Sequence, residues 1–504
     1  MTSPHTQRAH VPSTQSRSVE PPAPGYKWTV FAIVAVGVFM STLDSSIVNI
    51  SLPAISAYFH TPLSGAVEWV VIVYLVVIAA LLLTIGRLAD MTGRKLTWAA
   101  GLAIFTLGSA LSGAAPSLGF LIAARGFQAI GGALLFAVSA AMLTGAFPPT
   151  ERGRVLGLNA LIVALGISAG PTIGGAITES LTWRWIFYVN VPLGIAGFFA
   201  TLRWLRENAP HAPGRFDPAG AIALTIGLAA LTLGFSFGQE WGWGSTLLIA
   251  TLGTGVVAII ALVLIERAVP SPIIPFNLLR NRVFASANIS LILSFLALFA
   301  VSFMMPFYLE QLRGFSVLKS GLLLTPLPLT IAIVAPFSGR MADRFGTRWL
   351  AAIGLAIACI GLALLSQLDA TSSVFAIVWR LVLTGFGQAL FQSPNNSALM
   401  GSAPRERQGV ASGFLATGRV MGQSMSVALA GAVFTSLGGA AAGARLVELQ
   451  YAPHASQTEI AALQRTFVYG LHATFLACAA VALIGVATSL VRGHERIHHA
   501  PAGR

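Results

Sequence analysis

Charge is what this chain has least of. Asp, Glu, Lys and Arg make up 9% of its 504 residues, against 55% hydrophobic residues, where a soluble domain carries roughly a quarter charged residues. That shortage excludes an ordinary water-soluble protein. Cysteine is almost missing: Cys359 and Cys478 both sit inside apolar runs and read as small buried residues, not as a disulfide or metal pair. Phosphate-cradling GKS loops, runs with metal-ligand spacing and nucleophile elbows are absent as well. His498 and His499 are too isolated for a metal site, so the reading is of a protein that is not an enzyme and needs no metal or cofactor. A cleavable signal peptide is not expected either, because the first apolar run lies far from Met1 and is long enough to span.

What the chain has in abundance is apolar length. Its 51 glycines and 26 prolines would suggest disorder in a polar chain, but in an apolar one they suit membrane helices, which tolerate both. Runs of about 18–25 apolar residues are spanning-helix candidates. Fourteen occur, near 28–52, 66–86, 96–115, 118–146, 154–178, 184–204, 218–238, 246–265, 284–309, 318–338, 349–367, 373–400, 408–436 and 467–491. An even count puts both termini on one side. With the termini inside, the 30 Lys and Arg divide into 22 on inside segments, five on outside segments and three within the membrane, as the positive-inside rule requires. The formal charge of +13 is thus topogenic and is no sign of nucleic-acid binding. The outside gap at about 437–466 contains "TEIAALQR", read as a short helix on the surface.

The chain also repeats itself. "GRLADMTG" (86–93) returns as "GRMADRFG" (339–346), an offset of 253, while Arg125 returns as Arg380 and "ER" at 151–152 as "ER" at 406–407, at 255. Internal repeats in membrane chains point to transporters with the working site between the repeats. The expected organisation is an all-α membrane protein: a disordered cytoplasmic N-terminus (1–26), an N-terminal six-helix bundle (27–205), two inserted transmembrane helices (206–266), a C-terminal six-helix bundle (267–491) and a cytoplasmic tail (492–504).

Against this background one acid stands out. Asp44, in "STLDSSIVNI" (41–50), is the only one of seventeen acids placed deep within a span, where a carboxylate costs on the order of 2.5–3.5 kcal/mol on insertion scales. It is either a structural hydrogen-bonding group or a proton carrier. The first span runs outward and Asp44 lies eight residues before Leu52, roughly 12 Å; the fourth runs inward and Arg125 lies seven residues after Leu118, roughly 10 Å. The two reach the same depth. Burial favours the neutral acid and a nearby guanidinium the carboxylate, so motion that alters either would move a proton, which Arg125 itself cannot carry. Arg419 is deep too, with no partner to be named from the sequence. Arg380, Thr384, Gln388, Gln392 and Asn395 recur at spacings of 4, 4, 4 and 3 and share one helical face. That stripe is either interhelical bonding or one wall of a water-filled cavity. Gly166, Gly170 and Gly174, with Gly175 and Pro171 beside them, make a flat face for close packing on a helix that proline kinks.

Four motifs, in order and at spacing, carry a resemblance that covers nearly the whole chain after residue 26: "LDSSIVNISLP" (43–53), "GRLADMTGRK" (86–95), "RGFQAIGGA" (125–133) and "GISAGPTIGG" (166–175). "WRWIFYVNVPLG" (183–194) adds to them. The chain resembles the major facilitator superfamily in its fourteen-helix drug:proton antiporter branch (EmrB/QacA type), departing from the first motif in having Ser46 where threonine is usual. The resemblance implies the major facilitator fold and proton-coupled export of drugs or other toxic compounds by alternating access, a route to antibiotic resistance. It makes Asp44 and Arg125 the proton-coupling pair. It makes Gly86, Asp90, Gly93 and Arg94 a gating motif, with Asp90 binding a helix N-terminus of the opposite bundle while the outside is open. Gly166, Gly170, Pro171, Gly174 and Gly175 become the antiporter motif. It also favours the cavity reading of the twelfth span, in which Arg380, Gln388, Gln392 and Asn395 face Phe303, Met304 and Phe307. Implied partners are the inner-membrane bilayer, protons and a small hydrophobic or amphipathic substrate; a periplasmic adaptor protein is a candidate. Two rival readings stand beside this one: an importer or facilitator of a small organic metabolite on the same fold, and a non-transporting scaffold or sensor.

Overall fold

No water reaches a backbone in hydrocarbon, so an apolar run of this length satisfies its N–H and C=O groups only by closing them into a helix. The computed structural model of the chain describes residues 25–60, 67–207, 215–270, 272–274, 276–449 and 456–492, and among them there is helix but no strand. Fourteen long helices are α1 (Tyr26–Phe59), α2 (Trp69–Thr92), α3 (Arg94–Gly113), α4 (Leu118–Ala146), α5 (Arg152–Ser180), α6 (Asn190–Trp204), α7 (Pro218–Trp241), α8 (Thr246–Ala268), α9 (Arg282–Phe307), α10 (Pro326–Phe345), α11 (Arg348–Leu365), α12 (Val374–Ser402), α13 (Gln408–Ser436) and α14 (Gln457–Leu490). Thirteen described segments are long and apolar enough to cross a membrane singly, and α13 joins them when taken with the short helix Gly439–Leu449, at 72° to it. Each apolar run of the sequence corresponds to one of these helices. "TEIAALQR" does not form a surface helix of its own; it is the first turns of α14, and the short helix of that gap lies earlier, at Gly439–Leu449.

Polar residues at the run boundaries start the helices. Ser117, Ser245 and Ser373 each accept from the backbone N–H three residues on, and Asp217 does the same at α7. The α2–α3 turn passes through Gly93 at φ 102° and the α10–α11 turn through Gly346 at φ 87°. Both positions need a left-handed backbone, which glycine adopts without strain, and both belong to the repeated motif.

Helices α1–α6 and α9–α14 form two bundles. They meet chiefly where α2 packs on α13 and α5 on α10, with α4 against α13 and α5 against α12. Glycine makes the approach close: Gly86 and Gly409 face one another, as do Gly153 and Gly339, so that a Cβ at any of the four would run into the opposite backbone. All four lie by the Arg-rich turns, here called the basic end. One apolar cluster crosses both bundles at that end, taking in Val30, Leu143, Phe284, Leu399 and Val410. Toward the other end Ile47, Ile55, Leu121 and Trp183 cluster within the N-terminal bundle alone, and Met304, Phe434 and Phe467 within the C-terminal one. The structure is therefore closed at the basic end. The inserted α7 packs on both α2 and α13, with α8 behind it, through a cluster that includes Leu83, Leu224, Leu262, Phe414 and Met421. Cys359 and Cys478 are unpaired.

Candidate functional site

Asp44 is fully buried, and so are Arg125, Gln128 and Asn190 around it. Asp44 Oδ2 accepts from Arg125 Nη1 at 2.6 Å, and Oδ1 accepts from Gln128 Nε2 at 2.9 Å and Asn190 Nδ2 at 3.0 Å. Arg125 also donates through Nε to the Val70 carbonyl at 3.0 Å and through Nη1 to Gln128 Oε1 at 2.6 Å. Its guanidinium lies 4.2 Å from the centre of the Tyr74 ring, a cation–π contact between buried groups. Gln128 Nε2 is shared with Ser109 Oγ at 2.7 Å. The site thus draws on α1, α2, α3, α4 and α6 and sits inside the N-terminal bundle. Every group described at the carboxylate is a donor, two on Oδ1 and one on Oδ2, so the arrangement favours the ionised form of Asp44. Gln128 stands three residues after Arg125 on the same face of α4; it lies within the quoted motif, and its neighbourhood to Arg125 could have been read there. Asn190 also lies within a quoted motif, at 183–194, but no spacing there ties it to Asp44, and Tyr74 carries no such signal.

The gating motif forms a latch across the bundles. Asp90 accepts from the backbone N–H of Gly409 at 2.7 Å and of Val410 at 2.9 Å, at the start of α13, where free N–H groups and the helix dipole favour an anion. Arg94 Nη2 donates to Asp90 at 3.2 Å and to the Arg405 carbonyl at 2.8 Å. The repeat supplies a second latch that the sequence reading passed over. Asp343, which is Asp90 shifted by the offset of 253, accepts from Gly153 N at 2.7 Å and Arg154 N at 2.9 Å, at the start of α5. The signal was present, since "GRMADRFG" keeps the aspartate.

In the antiporter motif Gly166 packs against Thr42 and Gly170 against Ser46, and Ser46 Oγ donates to the Ile167 carbonyl at 2.8 Å. Helix α5 is thereby fitted onto the stretch of α1 that holds Asp44. Gly174 is buried and Gly175 half-buried, and a Cβ at Gly175 would enter open space. The side chain of Pro171 lies outside the described residues.

The stripe on α12 is not gathered into one wall. Arg380 Nη1 turns back to the Ala376 carbonyl at 3.3 Å and its guanidinium lies 5.3 Å from the Trp379 ring. Thr384 donates to the Arg380 carbonyl at 2.8 Å. Asn395 is held within the C-terminal bundle, donating to the Ala287 carbonyl at 3.0 Å and accepting from Arg492 Nη2. The interhelical alternative therefore describes Asn395, because its direction from the α12 axis points to α9 and to Arg492, just beyond the end of α14. Gln392 is buried and Gln388 half-buried. Phe303 and Phe307 meet edge to face at 5.5 Å, with Phe303 against the core of its own bundle. A small cavity of about 20 Å³ does lie between the bundles, but its α12 contribution is Asn396, joined by Asn159, Ser412 and Arg419. None of the seven side chains expected on the substrate wall lines it.

A sequence profile of the Major Facilitator Superfamily matches residues 34–427 and 289–503. The chain is similar to the riboflavin transporter RibZ of Clostridioides difficile, 34% identical over 411 residues that make up 81% of this chain and 88% of the other. It is similar to the multidrug resistance protein Stp of Mycobacterium tuberculosis, 33% identical over 402 residues, 80% of this chain and 74% of the other. The fold is shared with the crystal structure of the human organic anion transporter MFSD10, at TM-score 0.64 and 14% identity, over 93% of this chain and all of that one.

Proposed function

The chain belongs to the major facilitator superfamily and is a multi-pass membrane transporter, and on that footing we propose that it is a proton-driven exporter of hydrophobic or amphipathic compounds. It works by alternating access in the cell (inner) membrane with both termini in the cytoplasm, and the proton gradient is its energy source, without a cofactor. The observation that carries this reading is the buried Asp44–Arg125 pair. A carboxylate inside a membrane bundle is expensive to keep, and its one described cation is on another helix. Protonation of Asp44 removes the charge that ties α1 to α4. The fitted contact of α5 on α1 at Thr42 and Ser46 then gives that change a path to the bundle interface, where α5 meets α10 and α12.

The two latches supply the other half of the cycle. With Asp90 and Asp343 engaged the basic end is shut, so this is the state that faces away from the cytoplasm. Rocking to the cytoplasm-facing state breaks both aspartate–helix contacts. Similarity to Stp, a multidrug resistance protein, favours export. Similarity to RibZ, a riboflavin transporter, favours a metabolite carrier on the same fold.

The test is flux in proteoliposomes of the purified protein with an imposed pH gradient, using the amphipathic dye anilinonaphthalene sulfonate and riboflavin as probes. Uphill movement of the dye against proton flow, lost when the gradient is collapsed, is expected. Gradient-independent riboflavin movement alone would replace this reading with the facilitator one.

A further inference from the structure

We infer that Arg419 and the polar groups around it form the recognition site for an anionic group on the transported compound, a carboxylate, sulfonate or ionised phenol. The inference rests on the transport reading above and names the substrate class. Arg419 lies on α13, eleven residues beyond Gln408, hence roughly 16 Å from the basic end and close to the middle of a bilayer. No described residue offers it a carboxylate or a hydrogen bond. The side chain is half-buried, its Nε is buried without a hydrogen-bond partner, and its guanidinium lies 5.6 Å from the centre of the Phe295 ring. Every other cation placed within the membrane has more. Arg125 has Asp44, and Arg380 has at least the Ala376 carbonyl.

The surroundings repeat the same pattern. Arg419, Asn159, Asn396 and Ser412 line one cavity between the bundles, and each carries a buried polar atom with no partner. Buried polar groups are ordinarily satisfied, and a buried charge left uncompensated is strongly destabilising. Four such groups converging on one cavity point to something that enters and leaves. A single water fits the present volume of about 20 Å³, but water neither neutralises a guanidinium nor accounts for its lack of an acid. The cavity lining includes no acidic side chain, so a cationic compound finds no complement there. An anion finds a guanidinium, a hydroxyl and two amides, whose N and O ends exchange by a flip. Asn159 belongs to the N-terminal bundle and the other three to the C-terminal one. Separation of the bundles at the basic end therefore opens the site, and closure there squeezes it to its present size. That is the order of events an exporter needs, with the compound taken up from the basic side and expelled as that side shuts.

The experiment uses full-length protein in nanodiscs and proteoliposomes with matched probes of opposite charge: benzoate against benzylammonium, 1-naphthoate against 1-naphthylmethylammonium, and fluorescein against rhodamine 6G. At least one anionic probe should raise the melting temperature of the wild type. Arg419→Gln should weaken that probe's binding about tenfold or more, equivalent to about 1.4 kcal/mol, and leave the cationic partner unaffected. Arg419→Lys should restore part of it, because the charge returns without the planar fork. Without ligand, Arg419→Gln should melt no lower than wild type, since it removes a charge that no described acid balances; this separates recognition from folding. Anion-dependent stabilisation that survives in Arg419→Gln, or stabilisation by cationic probes alone or by no probe, would overturn the inference. If Arg419-dependent anion binding is found but no probe is moved by a pH gradient, the recognition site stands and the proton-driven reading fails.

Discussion

Arg125 and Arg380 hold the same place in the two repeats and live in different surroundings. Arg125 is fully buried, paired with Asp44, bonded to Gln128 and Val70 and laid over Tyr74. Arg380 is half-buried, bonds its own helix at Ala376 and rests by Trp379. The repeat of the Asp44 position falls at Ala297 or Phe299, depending on which offset is applied, and neither can ionise. The latches differ in the same way. Asp90 and Asp343 each accept two backbone N–H groups at the start of a helix in the opposite bundle, but only Asp90 has a clamping arginine, because the position of Arg94 is Thr347 in the second copy. The contacts that close the basic end recur in both halves, while the buried Asp44–Arg125 pair has no counterpart in the second. The second half holds Arg419, to which no described residue offers a carboxylate.

The strongest break in the comparison is Asp44→Asn. It keeps the shape of the network and removes its titratable group. Uphill export driven by a pH gradient should fall to background while the protein remains folded in the membrane, and undiminished export would transfer the coupling role elsewhere. Next comes the pair of arginines. Arg125→Ala leaves a buried carboxylate without its cation and should destabilise the protein by about 3–5 kcal/mol. Arg380→Ala leaves no acid behind and should stay within about 1 kcal/mol, in the range of ordinary substitutions. Thermal melts in one detergent compare them, and equal losses would mean the two sites are not different in kind. Arg125→Lys should recover only part of the loss, because an ammonium cannot serve Asp44, Gln128 and Val70 in Arg125's fixed geometry.

The latches give smaller effects. Asp90→Ala removes two hydrogen bonds to a charged group, each worth roughly 1.5–3 kcal/mol, and should open the basic end about a hundredfold, some 2.8 kcal/mol. Asp343 is more exposed, so Asp343→Ala should open it about tenfold. The readout is the maleimide labelling rate of Ser139→Cys, a cavity-lining position, in a chain with Cys359 and Cys478 replaced. Identical rates in the two variants would show that Arg94 adds nothing. The smallest change sharpens this point: Arg94→Gln should bring the first latch to the level of the second, a shift of about threefold to tenfold in the same assay.

Much of this organisation is legible in the sequence. The latch of Asp90 is implied by the family resemblance carried by one short motif, residues 86–95, and Asp343 follows from it by the repeat. The meeting of Asp44 with Arg125 follows from depth, because rise per residue converts sequence distance from a helix end into height in the membrane. Direction around the helix is harder. Asn395 and Asn396 are neighbours in sequence, and one ties α12 to α9 and to Arg492, just beyond the end of α14, while the other lines the cavity. A step of one residue turns the side chain by about 100°, and a polar stripe at spacing four does not say which neighbour it will face. "TEIAALQR" failed for a related reason: an amphipathic opening turn does not announce whether it lies on a surface or continues into the helix that follows.

By itself, then, the sequence determined a membrane protein of fourteen helices in two related halves with an inserted pair between them, because hydrocarbon leaves an apolar run no other way to satisfy its backbone. It determined too that Asp44 and Arg125 share a depth and that the acid of the latch comes twice. Only the tertiary structure decided that Gln128 and Asn190 complete the Asp44 site, that the basic end is closed, and that Arg419 faces a cavity without an acid. Those facts depend on how bundles rotate and dock, and docking is set by glycine contacts between helices far apart in the chain, at Gly86 with Gly409 and Gly153 with Gly339, whose partners no local pattern names.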